Sequence, residues 1–210
     1  MAAALQSPSM TALSSSTRRA TCAACLRAQS ACICHWVRPL SSRVDLLILQ
    51  HPLEVRNAKN SARLLHLCLP GSRLEVGETF PDLQALLYAD GRVPVLLYPE
   101  TPGFAATVLE PAPPERLRLV VLDATWRKSL KMLHVNPELQ RLPRLALHDV
   151  PASAYRIRKA HAPHQLSTLE AAALALGQME SDADAYRPLL QAFDGFVQQQ
   201  AALFLCLNPS

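Results

Sequence analysis

Glycine is scarce in this chain, with six residues in 210. That scarcity argues against the glycine-rich turns of dinucleotide and phosphate-loop sites. Neither Gly-x-Gly-x-x-Gly nor the phosphate-loop Gly-Lys-Ser/Thr occurs. Aromatic residues make up only 5% of the chain, so each Trp and Tyr counts for more. No apolar stretch is long enough to span a bilayer. The first residues also lack a basic segment ahead of an apolar core, so no secretory signal is expected. Charge of one sign is not dominant either: 21 Lys and Arg against 17 Asp and Glu leave +4. That balance alone does not imply a nucleic-acid partner.

What the chain does have is hydrophobic content of 50%, enough for one sizeable domain with a packed core and a small appendage. Residues 1–20 are rich in Ala, Ser and Thr and are expected to be a flexible tail. Residues 21–42 form a Cys-rich segment, and 43–210 the main domain. A cytoplasmic location is expected.

Four of the six cysteines crowd into Cys22-Ala-Ala-Cys25 and Cys32-Ile-Cys34. In a cytosolic chain such a cluster points to a metal before it points to disulfides. Four thiolates complete a closed tetrahedral zinc shell and would order a segment with little core of its own. The second pair is tighter than the usual spacing, and His35 is an alternative ligand. Redox use of the thiols is the competing reading. Cys68 and Cys206 lie on apolar helical faces and are expected in the core.

Apolar runs at Val44–Leu49, Val93–Tyr98 and Leu117–Leu122 are expected to be buried strands, and Leu145–His148 a weaker one. Between them, helical spacing predicts Arg56–Leu69, Leu83–Tyr88 and Ser129–His134. Further on it predicts a helix capped by Ser167 and Glu170 and continuing to Met179, then Tyr186–Leu205. Thr101–Pro114 is a proline-dense linker. Alternating strands and helices give an α/β class with a mainly parallel sheet. The run that ends in Asp123-Ala-Thr125-Trp126-Arg127-Lys128 delivers a carboxylate to a strand's C-terminal end, where open parallel sheets place their ligand crevice. The competing reading is an ordinary strand end followed by a Thr125 helix cap and a packed Trp126.

Basic residues cluster. Arg56, Lys59 and Arg63 share one predicted helix. Between Arg127 and Lys159 eight cations, among them Arg127, Lys128, Arg156, Arg158 and Lys159, face only Glu138 and Asp149. Such clustering suits a polyanion, although any one cluster is also compatible with a solvated helix face.

The motifs Cys22-x2-Cys25, Cys32-x-Cys34, Leu49-Gln50-His51-Pro52-x-Glu54 and Leu97-Tyr98-Pro99 occur in order. Asp123-x-Thr125-Trp126, Arg156-x-Arg158-Lys159 and Leu166-Ser-Thr-Leu-Glu170-Ala171 follow. Together they resemble the DTW-domain family, in particular its bacterial tRNA-uridine aminocarboxypropyltransferases, across roughly Cys22 to Ala175. Ala124 stands where many members carry Gly, and Ser61 where Thr is common. The resemblance implies a SPOUT-like fold with a C-terminal trefoil knot. It also implies S-adenosylmethionine as donor, transfer of its 3-amino-3-carboxypropyl chain to N3 of a tRNA uridine, and release of 5′-methylthioadenosine.

On that reading Asp123 is the candidate base for the N3 proton. The donor would lie near Leu97, Tyr98, Pro99, Thr125, Trp126, Ser167, Thr168 and Glu170, with amides at the Ser167 helix start available to its carboxylate. Plain capping by Ser167 and Glu170, and core packing of Trp126, are the alternatives. Arg56, Lys59, Arg63, Arg127, Lys128, Arg156, Arg158 and Lys159 would hold RNA phosphates. His51 and Glu54 either line the crevice or stabilise its loop. A SPOUT-type RNA methyltransferase, the same transfer to ribosomal RNA, and a non-catalytic zinc-containing RNA-binding module remain open. So does the choice between monomer and homodimer.

Overall fold

The apolar runs become the strands of one sheet. The computed structural model of the protein describes residues 20–100, 107–147 and 166–207. Its strands are β1 (Asp45–Gln50), β2 (Arg73–Val76), β3 (Val93–Leu97), β4 (Leu117–Asp123) and β5 (Arg144–Leu145). They lie in the order β2-β1-β4-β3-β5, and every pairing is parallel. Parallel strands need crossovers, and the crossovers cover both faces. The helices are α1 (Ala62–Cys68), α2 (Leu83–Tyr88), α3 (Trp126–Val135), α4 (Pro137–Arg141), α5 (Thr168–Glu180) and α6 (Arg187–Leu207).

Strand alternation assigns the faces. Leu46, Ile48, Leu119 and Val121 pack beneath α1, α5 and α6. Leu47, Leu49, Val120 and Leu122 pack beneath α2, α3 and α4. The central strands are therefore apolar at nearly every position, as sheets buried on both sides require.

The structure differs from the sequence reading in a helix boundary, in two added elements and in the placing of one cysteine. The helix expected from Arg56 begins only at Ala62, because Asn side chains claim the preceding amides. Asn57 Oδ1 accepts from Lys59 N at 3.0 Å, and Asn60 Oδ1 accepts from Arg63 N at 3.3 Å. Such local bonds compete with helix. The edge strand β2 and the five-residue α4 carry too little periodicity to stand out. Cys206 is exposed, because α6 runs on beyond the core and leaves Leu205 exposed as well. Cys68 is fully buried, as its position predicts.

The Cys-rich segment is packed onto the domain. Cys25 and Ile33 belong to the same core cluster as α1, α5 and α6. Trp36 packs against Gly195 of α6, where a Cβ would come within 2.3 Å of the indole. Its Nε1 donates to Gln199 Oε1 at 2.6 Å, and Gln199 Nε2 donates to the Cys32 carbonyl at 3.0 Å.

This topology determines where a ligand crevice opens. β1 and β4 are hydrogen-bonded neighbours, with Gln50 opposite Asp123 at their C-terminal ends. From there the chain leaves β1 toward β2 on one side, and leaves β4 toward β5 on the other. Divergence of this kind opens a crevice at the strand ends.

Candidate functional site

Asp123 closes β4 and is 3% exposed. Three side chains from three elements donate to its carboxylate. Gln50 Nε2, at the end of β1, reaches Oδ2 at 2.7 Å. Asn60 Nδ2, in the turn before α1, reaches the same oxygen at 2.5 Å. Thr168 Oγ1, in the first turn of α5, donates to Oδ1 at 2.7 Å. Gln50 Nε2 also lies 3.3 Å from Asn60 Oδ1. Burial pushes the carboxyl above its ordinary range, the three donors oppose that shift, and the charge of Glu54 adds to it. A carboxylate has about four acceptor positions, so these three bonds leave one for a ligand.

Asp123 forms part of a recess of about 20 Å³ shared with Glu54, Asn57, Asn60, Ala124 and Thr168. That is room for one small polar group beside the carboxylate. Glu54 is buried and accepts from Lys128 Nζ and from Asn57 Nδ2, each at 2.9 Å. Lys128 thus neutralises a second carboxylate beside the first. His51 continues β1 into the site, its amide donating to the Asp123 carbonyl at 3.0 Å. Its Nδ1 accepts from Leu53 N at 3.2 Å. Its Nε2 lies 3.1 Å from Glu78 Oε1, so the ring braces its own loop.

Across the sheet edge, Trp126 stacks on Tyr98 with centroids 5.0 Å apart and planes 6° from parallel. Tyr98 is buried and its hydroxyl meets Ser129 Oγ at 3.1 Å. Trp126 is 58% exposed, so it does not belong to the core. The reason lies in its position: at the first turn of α3 it projects over the strand ends, and Tyr98 already fills the space beneath. Arg144 lies over the Tyr98 ring at 5.8 Å, and its buried Nη1 has no hydrogen-bond partner among the described residues. Leu97 is half-buried and Pro99 exposed beside this stack.

The helix starts resolve differently from one another. Thr125 occupies the N-cap of α3 without a side-chain capping bond. Ser167 and Glu170 form a reciprocal capping box: Ser167 Oγ accepts from Glu170 N at 3.2 Å, and Glu170 Oε2 accepts from Ser167 N at 2.8 Å. Leu169 N donates to Ser61 Oγ at 3.3 Å. Two amides of that first turn are therefore already engaged, which weakens the expectation that they receive a donor carboxylate.

The cations separate into groups. Arg56, Lys59 and Arg127 are exposed. Lys128 is paired with Glu54. Arg63 sends its guanidinium to the Ala24 carbonyl in the Cys-rich segment, with Nε at 2.9 Å. Arg156, Arg158 and Lys159 lie outside the described residues. Sequence reasoning quoted Gln50 within a family motif without giving it a role and did not name Asn60, and the amides of both serve Asp123. The detectable signal was a polar residue ending an otherwise apolar strand.

The thiol cluster has metal geometry. The Sγ atoms of Cys22, Cys25, Cys32 and Cys34 all lie within 4.8 Å of one another. Cys22 and Cys34 are 3.6 Å apart, and Cys25 and Cys32 are 3.7 Å apart. A tetrahedron with metal–sulfur bonds of about 2.3 Å has edges of about 3.8 Å, so the set fits. Backbone amides at Cys25 and Ala24 lower the Cys22 thiol to about 6, whereas burial pushes Cys34 up to about 12. Four adjacent thiolates need a cation to share one pocket. Leu26, after the second cysteine, takes a left-handed φ of 61°. Its amide donates to the Cys22 carbonyl at 2.9 Å, which tightens the knuckle.

A family model described as the DTW domain matches residues 19–201. The chain is 33% identical to mouse tRNA-uridine aminocarboxypropyltransferase 2 over 200 residues, covering 88% of this chain and 66% of that protein. It is 31% identical to the Drosophila melanogaster protein of the same name over 212 residues, 91% of this chain and 82% of the relative. Against Arabidopsis thaliana tRNA-uridine aminocarboxypropyltransferase A the identity is 26% over 233 residues, 91% and 85% of the two chains. The alignment therefore spans just under two thirds of the mouse relative's length. No solved structure matches the chain.

Proposed function

This chain belongs to the DTW domain family, and from that membership we propose that it is a tRNA-uridine aminocarboxypropyltransferase. It moves the 3-amino-3-carboxypropyl group of S-adenosylmethionine to N3 of a tRNA uridine and releases 5′-methylthioadenosine. The observation that carries the reading is the Asp123 carboxylate, held by three donors at the point where β1 and β4 diverge.

The chemistry asks little of the leaving group, since a sulfonium departs as a neutral thioether. It asks more of the nucleophile, because uracil N3 carries a proton. The N3 lone pair forms the new bond to Cγ, the C–S bond breaks, and its electron pair returns to sulfur. Asp123 takes the N3 proton at its one remaining acceptor position. Gln50, Asn60 and Thr168 hold that carboxylate in place throughout. Burial strengthens it as a base and keeps competing water few.

The size of the recess favours a second role for the same residue. Space for one small polar group, between Asp123 and Glu54, also suits the ammonium of the transferred chain. Asp123→Asn separates the two. Loss of kcat at unchanged donor KM supports the base, whereas a raised donor KM supports the ammonium contact.

The exposed Trp126, backed by Tyr98, offers a stacking face for an adenine or a splayed-out tRNA base. The exposed Arg56, Lys59 and Arg127 are candidate phosphate contacts, with Arg156, Arg158 and Lys159 of the family motif as further candidates. Cys22, Cys25, Cys32 and Cys34 would hold a structural zinc, which supplies rigidity and no chemistry. A SPOUT-like arrangement with a C-terminal knot, and a division into a Cys-rich segment at 21–42 and a transfer domain from 43 onward, belong to the same reading. The all-parallel sheet supports the SPOUT-like class.

The test is incubation with donor labelled in the aminocarboxypropyl chain and total tRNA, followed by nucleoside mass analysis. Labelled uridine together with methylthioadenosine is expected. S-adenosylhomocysteine with a methylated nucleoside would mean methyl transfer instead.

A further inference from the structure

Asn60 reaches Asp123 from an irregular turn, and a side chain held by a turn is only as well placed as its backbone. That backbone is tied from outside. Arg27, two residues beyond Cys25, donates from NH1 to the Ala58 carbonyl at 2.6 Å and from NH2 to the Asn60 carbonyl at 2.8 Å. Its guanidinium lies over the Phe196 ring of α6 at 4.8 Å. A second tie runs the opposite way: Arg63 of α1 donates to the Ala24 carbonyl inside the Cys22–Cys25 knuckle. The Arg63 amide also donates to the Asn60 side-chain oxygen. That bond orients the Asn60 amide so that its nitrogen faces Asp123.

We propose that Arg27 and Arg63 form a two-way clamp through which the Cys-rich segment positions Asn60 against Asp123. The metal knuckle is then a positioning element of the reactive site. Arg27 is a positioning residue, not a catalytic one, since its guanidinium is engaged by two backbone carbonyls and an aromatic face. Arg63 leaves the set of phosphate ligands for the same reason. The geometry explains why Arg suits position 27, because its planar fork serves two carbonyls at once. It also explains why a segment at one end of the chain is packed against α6 by Trp36 and Gln199.

The proposal rests on Asp123 being the reactive carboxylate, so the experiment has one readout that needs no activity. Full-length, metal-loaded Arg27→Ala, Arg27→Lys, Asn60→Ala and the Arg27→Ala/Asn60→Ala double variant are compared with the parent, with metal content measured on each. Hydrogen exchange of the Asn60 and Arg63 amides is expected to quicken about 10-fold or more in Arg27→Ala while β1 and β4 stay protected. In the transfer assay, Arg27→Ala is expected to lower kcat about 10-fold with the KM for tRNA unchanged. The double variant should be no slower than Asn60→Ala alone, because both act through one contact. Lys makes at most one of the two carbonyl bonds at a time, so Arg27→Lys should fall between Arg27→Ala and the parent. It also keeps the proposal testable should Arg27→Ala fail to fold.

Unchanged exchange at 57–63 overturns the clamp, as do multiplicative losses in the double variant. A raised KM at unchanged kcat would make Arg27 an RNA contact and overturn it too. If the parent protein transfers no aminocarboxypropyl group, the functional reading fails. The exchange measurement then still decides whether the segment holds the turn.

Discussion

Asp123 concentrates the residue-scale argument. Asn at this position keeps the shape and the hydrogen bonds. Its oxygen can accept from Gln50 and Asn60, and its amide can donate to Thr168. Asp123→Asn should therefore fold normally while losing about 10² to 10⁴ in transfer rate if the carboxylate is the base; circular dichroism beside the nucleoside assay checks both halves. The pH dependence has a definite sign. Burial raises the folded-state pKa above the unfolded one, so the folded protein retains the proton longer. Its stability from this group is full below the unfolded pKa and falls as pH rises through the folded one. Asp123→Asn should thus gain stability relative to the parent as pH rises through that window, a trend that urea melts at stepped pH would reveal. The parent's acid limb of activity should lie above that of an ordinary aspartate. Trp126 makes a separate prediction: exposed as it is, its replacement by Ala should leave the melting temperature nearly unchanged. It should weaken ligand binding by about 1–3 kcal/mol, the worth of one stacked base. Trp126→Phe should retain most of the affinity in the same titration.

At the scale of elements, the docking of the Cys-rich segment on α6 depends on a missing side chain. Gly195 lets the Trp36 ring lie against the helix backbone, and an added Cβ would occupy the ring's own position. Gly195→Ala should cost about 1–3 kcal/mol by overpacking. At this chain length that corresponds to a fall of about 2–4 °C in Tm per kcal/mol, readable by scanning calorimetry. The thiol knuckle predicts an order of events as well. Chelation should raise hydrogen exchange in residues 22–36 before it reaches β1 and β4, because that segment contributes only Cys25 and Ile33 as buried residues to the core. Equal exchange with and without chelator would remove the metal from the account.

Over the whole molecule, the cations divide by what they touch. Arg56 and Arg127 are exposed, whereas Arg63 and Lys128 are committed to Ala24 and Glu54. Replacing Arg56 or Arg127 by Ala should lower the slope of log affinity against log salt by about 0.7 to 0.9 for each lost phosphate contact. The salt slope should hardly move for Lys128→Ala, which instead removes the ammonium paired with Glu54 beside Asp123. Filter binding of tRNA across a salt series separates the two groups. A uniform slope change at all positions would mean that the basic clusters act as one diffuse field.

Periodicity and termination signals in the chain itself determined the α/β class, the three apolar strands, the helix at Leu83–Tyr88, the capping box at Ser167 and Glu170, and the four-cysteine knuckle. These depend on neighbours within a few residues, and local spacing encodes them. Asp123 was legible as well, because an acid ending an apolar strand stands out in a one-dimensional pattern. Only the tertiary structure decided what surrounds it. Gln50, Asn60 and Thr168 are 73, 63 and 45 residues away along the chain, and no local signal brings them together. The same holds for Trp126, lifted out of the core because Tyr98 took the space beneath it. It holds also for Arg63, a cation by composition and a backbone clamp by position. Burial and partnership are set by the packing of distant segments, and a linear pattern records the residue type without recording what it meets.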